Sequence, residues 1–494
     1  MKKLITFLLL IQACLANVSA QDIKGIIVAD TANLTILKVW GTHEERGFAY
    51  GYLIGDQISN MVTGYMLPVF GENMNAARQI IIDGEDLVIG QEYVDEAIAV
   101  IEGMNAAGTN YADIDYIDGL VFNSFLDIVK LLGMTVDGPG CSSLMSWGDA
   151  TAGTDLDGKS VISRHLDWTP NPTIINNQVI VVHFPSETDE QPFVIIGFAG
   201  QMSVLSGFNS TTAVFQHMMS DFTASSVQGV GFEPVWLTLR KAIEKLDYNN
   251  DGFNNTRDVR DAIGSNPMGY ADGYIITALA PSSAGADSLV ALVAEVTPQP
   301  PLITFRGNEY PDLIPGDNLY AANYEIKRNN HNHYCTRYYA VVNAIGAGTG
   351  IGSEENWQIM RDYSNASYGN IQFMQFIPET DVFRISVHRE GSPAYLKPPV
   401  EFAISELLFL PVGTNNNQNL SESIFFPNPV QNKLYLQLEI NEQSQIFRIF
   451  SITGNLLQEG TIQNKTQSIS VKHLQSGVYF LTTNDNYWFK FIKF

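Results

Sequence analysis

Two rhythms of apolar residues alternate along this chain. Val179–His183, Phe193–Phe198, Ala213–Met218, Tyr274–Ala280, Leu289–Thr297, Asn370–Ile377 and Phe383–His388 are short runs rich in β-branched and aromatic residues. Most are bounded by turn formers, which predicts the strands of a sheet-built core. Met61–Leu132 is mostly helical by pattern and closes with Phe122–Leu132, while Pro234–Leu246 has Val235, Leu239, Ala242, Ile243 and Leu246 at helical spacing. Val39–Ile58 reads as a strand leading into a helix. There Gly47, Gly51 and Gly55 recur every four residues on one face, where a second element can approach closely. Gly138–Trp168 reads as strand, hairpin, strand, with Asp157-Gly158 as the turn. Beyond a polar, Asn-rich linker at Pro411–Ser423, the segments Phe425–Leu438, Ile449–Gly460 and Ile469–Thr482 alternate as strands of a small β-sandwich.

Composition narrows the function classes. The 494 residues are 45% hydrophobic, enough for a large core and more than one domain. A net charge of −24 argues against nucleic acid or an anionic membrane as partner, since both require basic surface. Residues 1–20 have the build of a secretory signal peptide: Lys2 and Lys3, an apolar core at Leu4–Ala16, then Val18-Ser19-Ala20. A lipoprotein leader cut before Cys14 is the alternative, which Gln12 fits poorly. No other stretch approaches the ~18 apolar residues of a membrane span. Removal of the leader leaves Cys141 and Cys335, room for one disulfide but not for a disulfide scaffold.

The chemistry gathers in the hairpin. Cys141 heads the first strand after a Gly-Pro-Gly turn, and Arg164 and Asp167 lie near the end of the second, where the fold-back returns them to the cysteine. A thiol, a cation and a carboxylate at one sheet end make a candidate nucleophile site. A second candidate is Asp247–Asp258, which offers oxygen ligands from Asp247, Asn249 and Asp251, Gly252 at the sharp turn, the Phe253 carbonyl, Asn255, and an acid at Asp258. That spacing suits an EF-hand-like Ca²⁺ loop holding a structural ion, with Asp258 in place of the usual Glu. A solvated turn between helices is the alternative. Gly346–Gly352 lacks the lysine of a phosphate-binding loop, and His331 and His333 in an Asn-rich loop are weak evidence for a metal.

The residues GCSS…WG.ATA…DGK…RHLDW resemble the processing-site signature of the cysteine-type N-terminal-nucleophile (Ntn) hydrolases. More narrowly, they resemble the acyltransferase/peptidase branch containing fungal penicillin acyltransferase, related to choloylglycine hydrolases and acid ceramidases. Shorter matches follow in order: HEERG near residue 45, Gly207-Phe208-Asn209, Ala294–Pro298, Ala322-Asn323-Tyr324 and Thr336-Arg337. The resemblance implies an α+β, four-layer αββα sandwich that cuts itself between Gly140 and Cys141. Cys141 would then be both N-terminus and nucleophile, acting on a small-molecule linear amide or transferring its acyl group. It further implies oxyanion contacts from Asn209 and Asn323 and support from Arg337. Arg164 would lower the thiol pKa, and Asp167 would hold the new ammonium. The expected organisation is signal peptide 1–20, precursor segment 21–140, catalytic domain 141–402, linker 403–423 and a C-terminal domain 424–494. That last part, with PNPV.N.L, ITG..L and L.SGVY.L, resembles the sorting domain of the type IX secretion system, which implies that machinery as partner and a secreted or surface location. Two rival readings are an ester or phospholipid hydrolase using the same cysteine, and an inactive calcium-binding surface protein.

Overall fold

The computed structural model describes residues 23–410 apart from 32, 136–139, 285–288, 311, 329–334 and 365. Of the C-terminal region it describes 424–426, 430, 432–437, 445–451, 455–462, 466–475, 477–483 and 487–493. The leader, the Gly138-Pro139 turn, His331, His333 and most of the linker lie outside these residues. Ile23–Leu408 forms one compact unit and the strands after Phe409 belong to another.

The first unit opens with the hairpin β1 (Gly25–Thr31) and β2 (Leu34–Gly41), followed by helix α1 (His43–Met61). A capping box starts α1: the Thr42 side chain accepts from the Glu45 amide while Glu45 accepts from the Thr42 amide. Helices α2 (Met74–Asp83), α3 (Gln91–Ala107), α4 (Tyr116–Asn123) and α5 (Phe125–Leu131) complete the N-terminal segment. The glycine stripe of α1 lies against α3, so a Cβ at Gly51 would run into the Val100 carbonyl, and one at Gly47 into the Glu96 carbonyl.

After this segment come β3 (Gly140–Ser146), β4 (Val161–Asp167), β5 (Gln178–Pro185), β6 (Phe193–Phe198), β7 (Ser206–Asn209) and β8 (Ala213–Met218). Helices α6 (Val235–Glu244) and α7 (Thr256–Gly264) lead to β9 (Tyr274–Leu279), β10 (Ala291–Val296), β11 (Ile303–Gly307) and β12 (Asn318–Ala321). Helices α8 (Thr336–Ile345) and α9 (Ser353–Tyr363) precede β13 (Asn370–Ile377), β14 (Val382–Val387) and β15 (Val400–Ala403).

Nine strands form one sheet in the order β1-β2-β5-β6-β7-β8-β9-β10-β11, and six form another in the order β12-β3-β4-β13-β14-β15. Only β2 and β5 run parallel; the other pairs in both sheets are antiparallel. The sheets meet where β3 touches β8 and β10 touches β12. Helices α1, α6 and α7 pack on the first sheet and α9 on the second, which gives the expected αββα layers. Because β15 extends the second sheet, this unit runs to Leu408, past the expected end at residue 402.

A buried ion network ties the N-terminal segment to the rest. His43 and Arg46 of α1, Glu96 of α3, Glu187 and Glu190 between β5 and β6, and Arg240 and Glu244 of α6 interlock. Arg240 lies 2.6 Å from Glu96 and 2.7 Å from Glu244, and His43 Nδ1 lies 2.7 Å from Glu96. Although His43, Glu190 and Glu244 converge closely enough for a metal ion, Arg46, Arg240 and Lys245 already neutralise them.

In the second unit Ile424–Phe426, Lys433–Gln437 and Thr466–Ser470 form one sheet. Leu456–Ile462, Gln445–Ser451, Gly477–Thr483 and Tyr487–Lys493 form another. Val430, Leu434, Ile449 and Leu481 are buried in one cluster.

Candidate active site

Register and side-chain alternation assemble the site. Cys141 pairs with Leu166 and Ser143 with Arg164 across β3 and β4, so those four side chains share the face turned to the nine-stranded sheet. Gly140 pairs with Asp167, which faces the other way. The Arg164 guanidinium, fully buried, lies 3.7 Å from Cys141 Sγ and donates to the Gln216 carbonyl at 3.1 Å. Its Nε and Nη1 find no acceptor among the described residues.

The backbone of Cys141 is gripped on both sides. Its N–H donates to Asn323 Oδ1 at 2.9 Å, and its carbonyl accepts from Arg337 Nη1 at 3.1 Å. Arg337 Nη2 also donates to Asn323 Oδ1 at 3.2 Å, and Nη1 stands 4.0 Å from Asp167. Asp167 is held by Asn370, whose amide donates to Oδ1 at 2.8 Å. Gly140 takes φ +106°, and a Cβ there would collide with the Asn323 amide, 2.9 Å from its Cγ.

Burial decides the charges. It pushes the Cys141 thiol up, and the pull of Arg164 in the other direction does not overcome it, so the uncut chain holds a thiol rather than the low-pKa cysteine expected. Burial likewise lifts Asp167 to about 6, against the downward pull of Asn370, Arg337 and Arg164. His165 is pushed down to about 3 by burial and points away from Cys141; its Nε2–H donates to the Met360 carbonyl at 3.0 Å and its Nδ1 accepts from the Asn370 amide at 3.0 Å, as a structural group.

Five of the six catalytic candidates come together: Cys141, Arg164, Asp167, Asn323 and Arg337. Asn209 does not. It sits at the β7–β8 turn, where Oδ1 accepts from the Thr211 and Thr212 amides and Nδ2 donates to the Ile243 carbonyl. From there to Gln216 is four residues of strand, on the order of 13 Å. The Gly-Phe-Asn match therefore marks a turn, and Asn209 is corrected from oxyanion donor to turn residue. Asn323 also differs from expectation, because its amide nitrogen is engaged by the Met218 carbonyl at 2.7 Å while its oxygen serves Cys141. It holds a nitrogen, not an oxyanion.

Residues missed in the sequence complete the surroundings. His217 Nδ1 donates to the Ala322 carbonyl at 3.3 Å, so Nε2 accepts from Ser143 Oγ at 2.9 Å, which in turn accepts from Thr277. Burial drives His217 well down, so it is neutral. Beside Cys141 lies an apolar cavity of about 50 Å³, whose wall combines Tyr65, Phe122 and Phe125 of the N-terminal segment with Trp168, Met218 and Trp236. Strand alternation puts Gln216 and Ser143 next to this chemistry, but neither has a local motif that announces it. Cys141 and Cys335 are both free thiols.

The 247–258 loop holds its oxygens close together. Asp247 accepts from the Asp251 and Gly252 amides, Asn249 Oδ1 from the Asp251 amide and Asp251 from the Phe253 amide. Asp258 folds back over the loop to accept from Tyr248 at 2.8 Å and Asn249 at 3.3 Å. Burial, with a smaller repulsion from Asp247, pushes Asp258 up, and its second oxygen accepts from the Asn255 amide at 2.9 Å in the capping box of α7. Asn255 departs from the expected set, since its oxygen caps α7 on the Arg257 amide at 2.8 Å. Phe253 is exposed at the loop's rim.

The geometry defines a two-sheet sandwich carrying a cysteine at the head of a central strand, its peptide nitrogen and carbonyl both clamped. Residues 424–493 match the secretion-system C-terminal sorting domain, and the chain carries that type IX domain behind its globular unit. Protein dcd1B of Dictyostelium discoideum is 20% identical over 220 residues, 40% of either chain, so the match spans less than half of that relative. Among solved structures, a Caenorhabditis elegans N-acylethanolamine-hydrolyzing acid amidase ortholog is 13% identical with TM-score 0.33, covering 48% of this chain and 93% of that one. A mutant conjugated bile acid hydrolase from Clostridium perfringens is 9% identical with TM-score 0.32, covering 54% and 93%. No described helix is long and apolar enough to cross a membrane.

Proposed function

We propose that this chain is a secreted, self-processing hydrolase whose nucleophile is the N-terminal cysteine released at Cys141, and that it cleaves a linear amide. One observation carries the reading: the Cys141 nitrogen is already held by Asn323, while the thiol lies beside Arg164 at an apolar cavity. In processing, sulfur attacks the Gly140 carbonyl carbon. The C–S bond forms, the Gly140–Cys141 C–N bond breaks, and the thiol proton goes to the departing nitrogen. Water then hydrolyses the thioester, giving a Gly140 carboxylate and regenerating the thiol.

The new α-amine, of a type that ordinarily titrates at about 8, is the base closest to the thiol and takes its proton. Asn323 accepts from that amine. Asp167, close by through Arg337, offsets its charge when protonated. The thiolate attacks the substrate carbonyl, and the unengaged Nε and Nη1 of Arg164 are the donors available to the oxyanion, a role worth roughly 3–4 kcal/mol. The amine departs with a proton, and water releases the acid. The cavity receives the apolar part of the substrate. The sorting domain supports export by the type IX machinery and release or attachment outside the cell.

Calcium belongs to the same proposal as a structural ion at Asp247, Asn249, Asp251, the Phe253 carbonyl and Asp258, remote from the thiol. Its contribution would be to neutralise the loop carboxylates between α6 and α7.

Intact mass and N-terminal sequencing of the exported protein, beside Cys141→Ala, test the reading. A new N-terminus at Cys141 that the variant lacks is expected, followed by amide turnover. An uncut wild-type chain would remove the mechanism.

A further inference from the structure

The cavity beside Cys141 has an apolar wall apart from the thiol, the Tyr65 hydroxyl, which accepts from the Trp168 indole, and two glutamines, Gln201 and Gln216, each only 1% exposed. In both, the partner of the side-chain oxygen fixes which end of the amide faces where. Gln216 Oε1 accepts from the Trp236 indole N–H at 3.0 Å, and an indole can only donate. Gln201 Oε1 accepts from the Phe198 backbone N–H at 2.9 Å, and that group also can only donate. The two NH₂ groups are therefore the free ends. Gln201 Nε2 has no acceptor among the described residues. Gln216 Nε2 has only the Met218 sulfur at 3.8 Å, a weak acceptor for one of its two hydrogens.

Buried amide hydrogens without acceptors are costly, and a site built to donate rejects a ligand that offers nothing in return. We propose that this cavity selects an acyl group bearing an oxygen acceptor, a hydroxyl or a ketone on the chain, received by the amides of Gln201 and Gln216. The oxygen lies towards the carbonyl end, because the Gln216 backbone is bonded to the same Arg164 that contacts the thiol. Unsubstituted chains fill the same space but leave the donors unmet. This rests on the amide-hydrolase reading for the place of the acyl group, but not for its test.

The experiment is binding of free fatty acids, the acyl products, to the full exported chain, by calorimetry or by the fluorescence of Trp168 and Trp236. Acids of one length carrying a hydroxyl or ketone at successive positions are compared with the plain acid. At least one oxygenated acid should bind roughly five- to tenfold tighter, the worth of one net hydrogen bond. Gln201→Met and Gln216→Met, which keep length and shape, should each reduce the ratio of oxygenated-acid to plain-acid affinity. Equal affinity for plain and oxygenated acids, a gain that survives both variants, or no binding of any acid would overturn the proposal. A clear gain in a protein that hydrolyses no amide would uphold the proposal and discard the hydrolase reading instead.

Discussion

Replacing Gly140 by alanine isolates the contact on which the site depends. Two costs follow from the structure. A non-glycine residue at φ +106° carries strain of about 1–3 kcal/mol. The new methyl also meets the Asn323 amide, whose displacement strands the buried Cys141 N–H, for roughly another 1–3 kcal/mol. Gly158, in the β3–β4 turn at φ +88°, provides the control: its Cβ would meet only the Gly148 carbonyl, at 4.0 Å. Gly158→Ala thus bears the strain alone. Thermal melting of both variants, together with the rate at which fragments ending at 140 and starting at 141 appear on denaturing gels, reads the two terms separately. Gly140→Ala should melt lower than Gly158→Ala by the second term and process at least tenfold more slowly. Equal melting and equal processing in the two variants would show that Asn323 does not clamp this peptide, and the proposed preparation for cleavage would fall with it.

Other outcomes follow from charge and packing. The acid limb of turnover, begun by protonation of the α-amine, should carry a second step near pH 6, where Asp167 takes up a proton and ceases to offset the α-ammonium, and Asp167→Asn should lose that second step alone. His43 responds in the opposite range. Burial alone would lower it, but Glu190 and Glu96 hold it at about 9, so the folded state keeps its proton. That stabilisation, about 3 kcal/mol, is complete below pH 6.5 and is lost as pH rises through 9; a His43→Ala chain should melt with a flatter dependence over this window. Added Ca²⁺ should raise the melting temperature and a chelator should reverse it, whereas Asp251→Ala should respond to neither. Gly51→Ala should lower the melting temperature without altering the site, since it forces apart α1 and α3 at the Val100 carbonyl.

Much of the frame was legible because periodicity and turn residues act locally. The β-branched and aromatic runs at Phe193–Phe198 and Ala213–Met218, the four-residue glycine spacing of α1 and the Asp157-Gly158 turn each determine their structure from within a few residues. The hairpin reading brought Cys141, Arg164 and Asp167 together for the same reason. What stayed hidden depends on distant partners. Asn209 and Asn323 both precede ordinary turns, and only the sheet order reveals that one faces the thiol's peptide while the other caps a far corner. The balance of burial against Arg164 at the thiol is a property of the packed interior, as is the donor direction of Gln216, set by an indole twenty residues further on. The ion network of His43, Glu96, Glu190 and Arg240 is scattered over four elements, with no motif in any of them.

The parallel pairing of β2 with β5 has a kinetic consequence. It stitches the N-terminal segment into the same sheet as the strands that follow residue 140, from Leu34 beside Gln178 to Gly41 beside Pro185. A cut at Gly140–Cys141 would leave that ladder whole, yet the covalent route by which the two parts first found each other would be gone. Reassembly from the unfolded state would become second order, dependent on the meeting of two separate chains at environmental dilution. Outside the cell the mature molecule would then persist only for as long as it does not open, and its lifetime would be governed by an unfolding rate instead of an equilibrium.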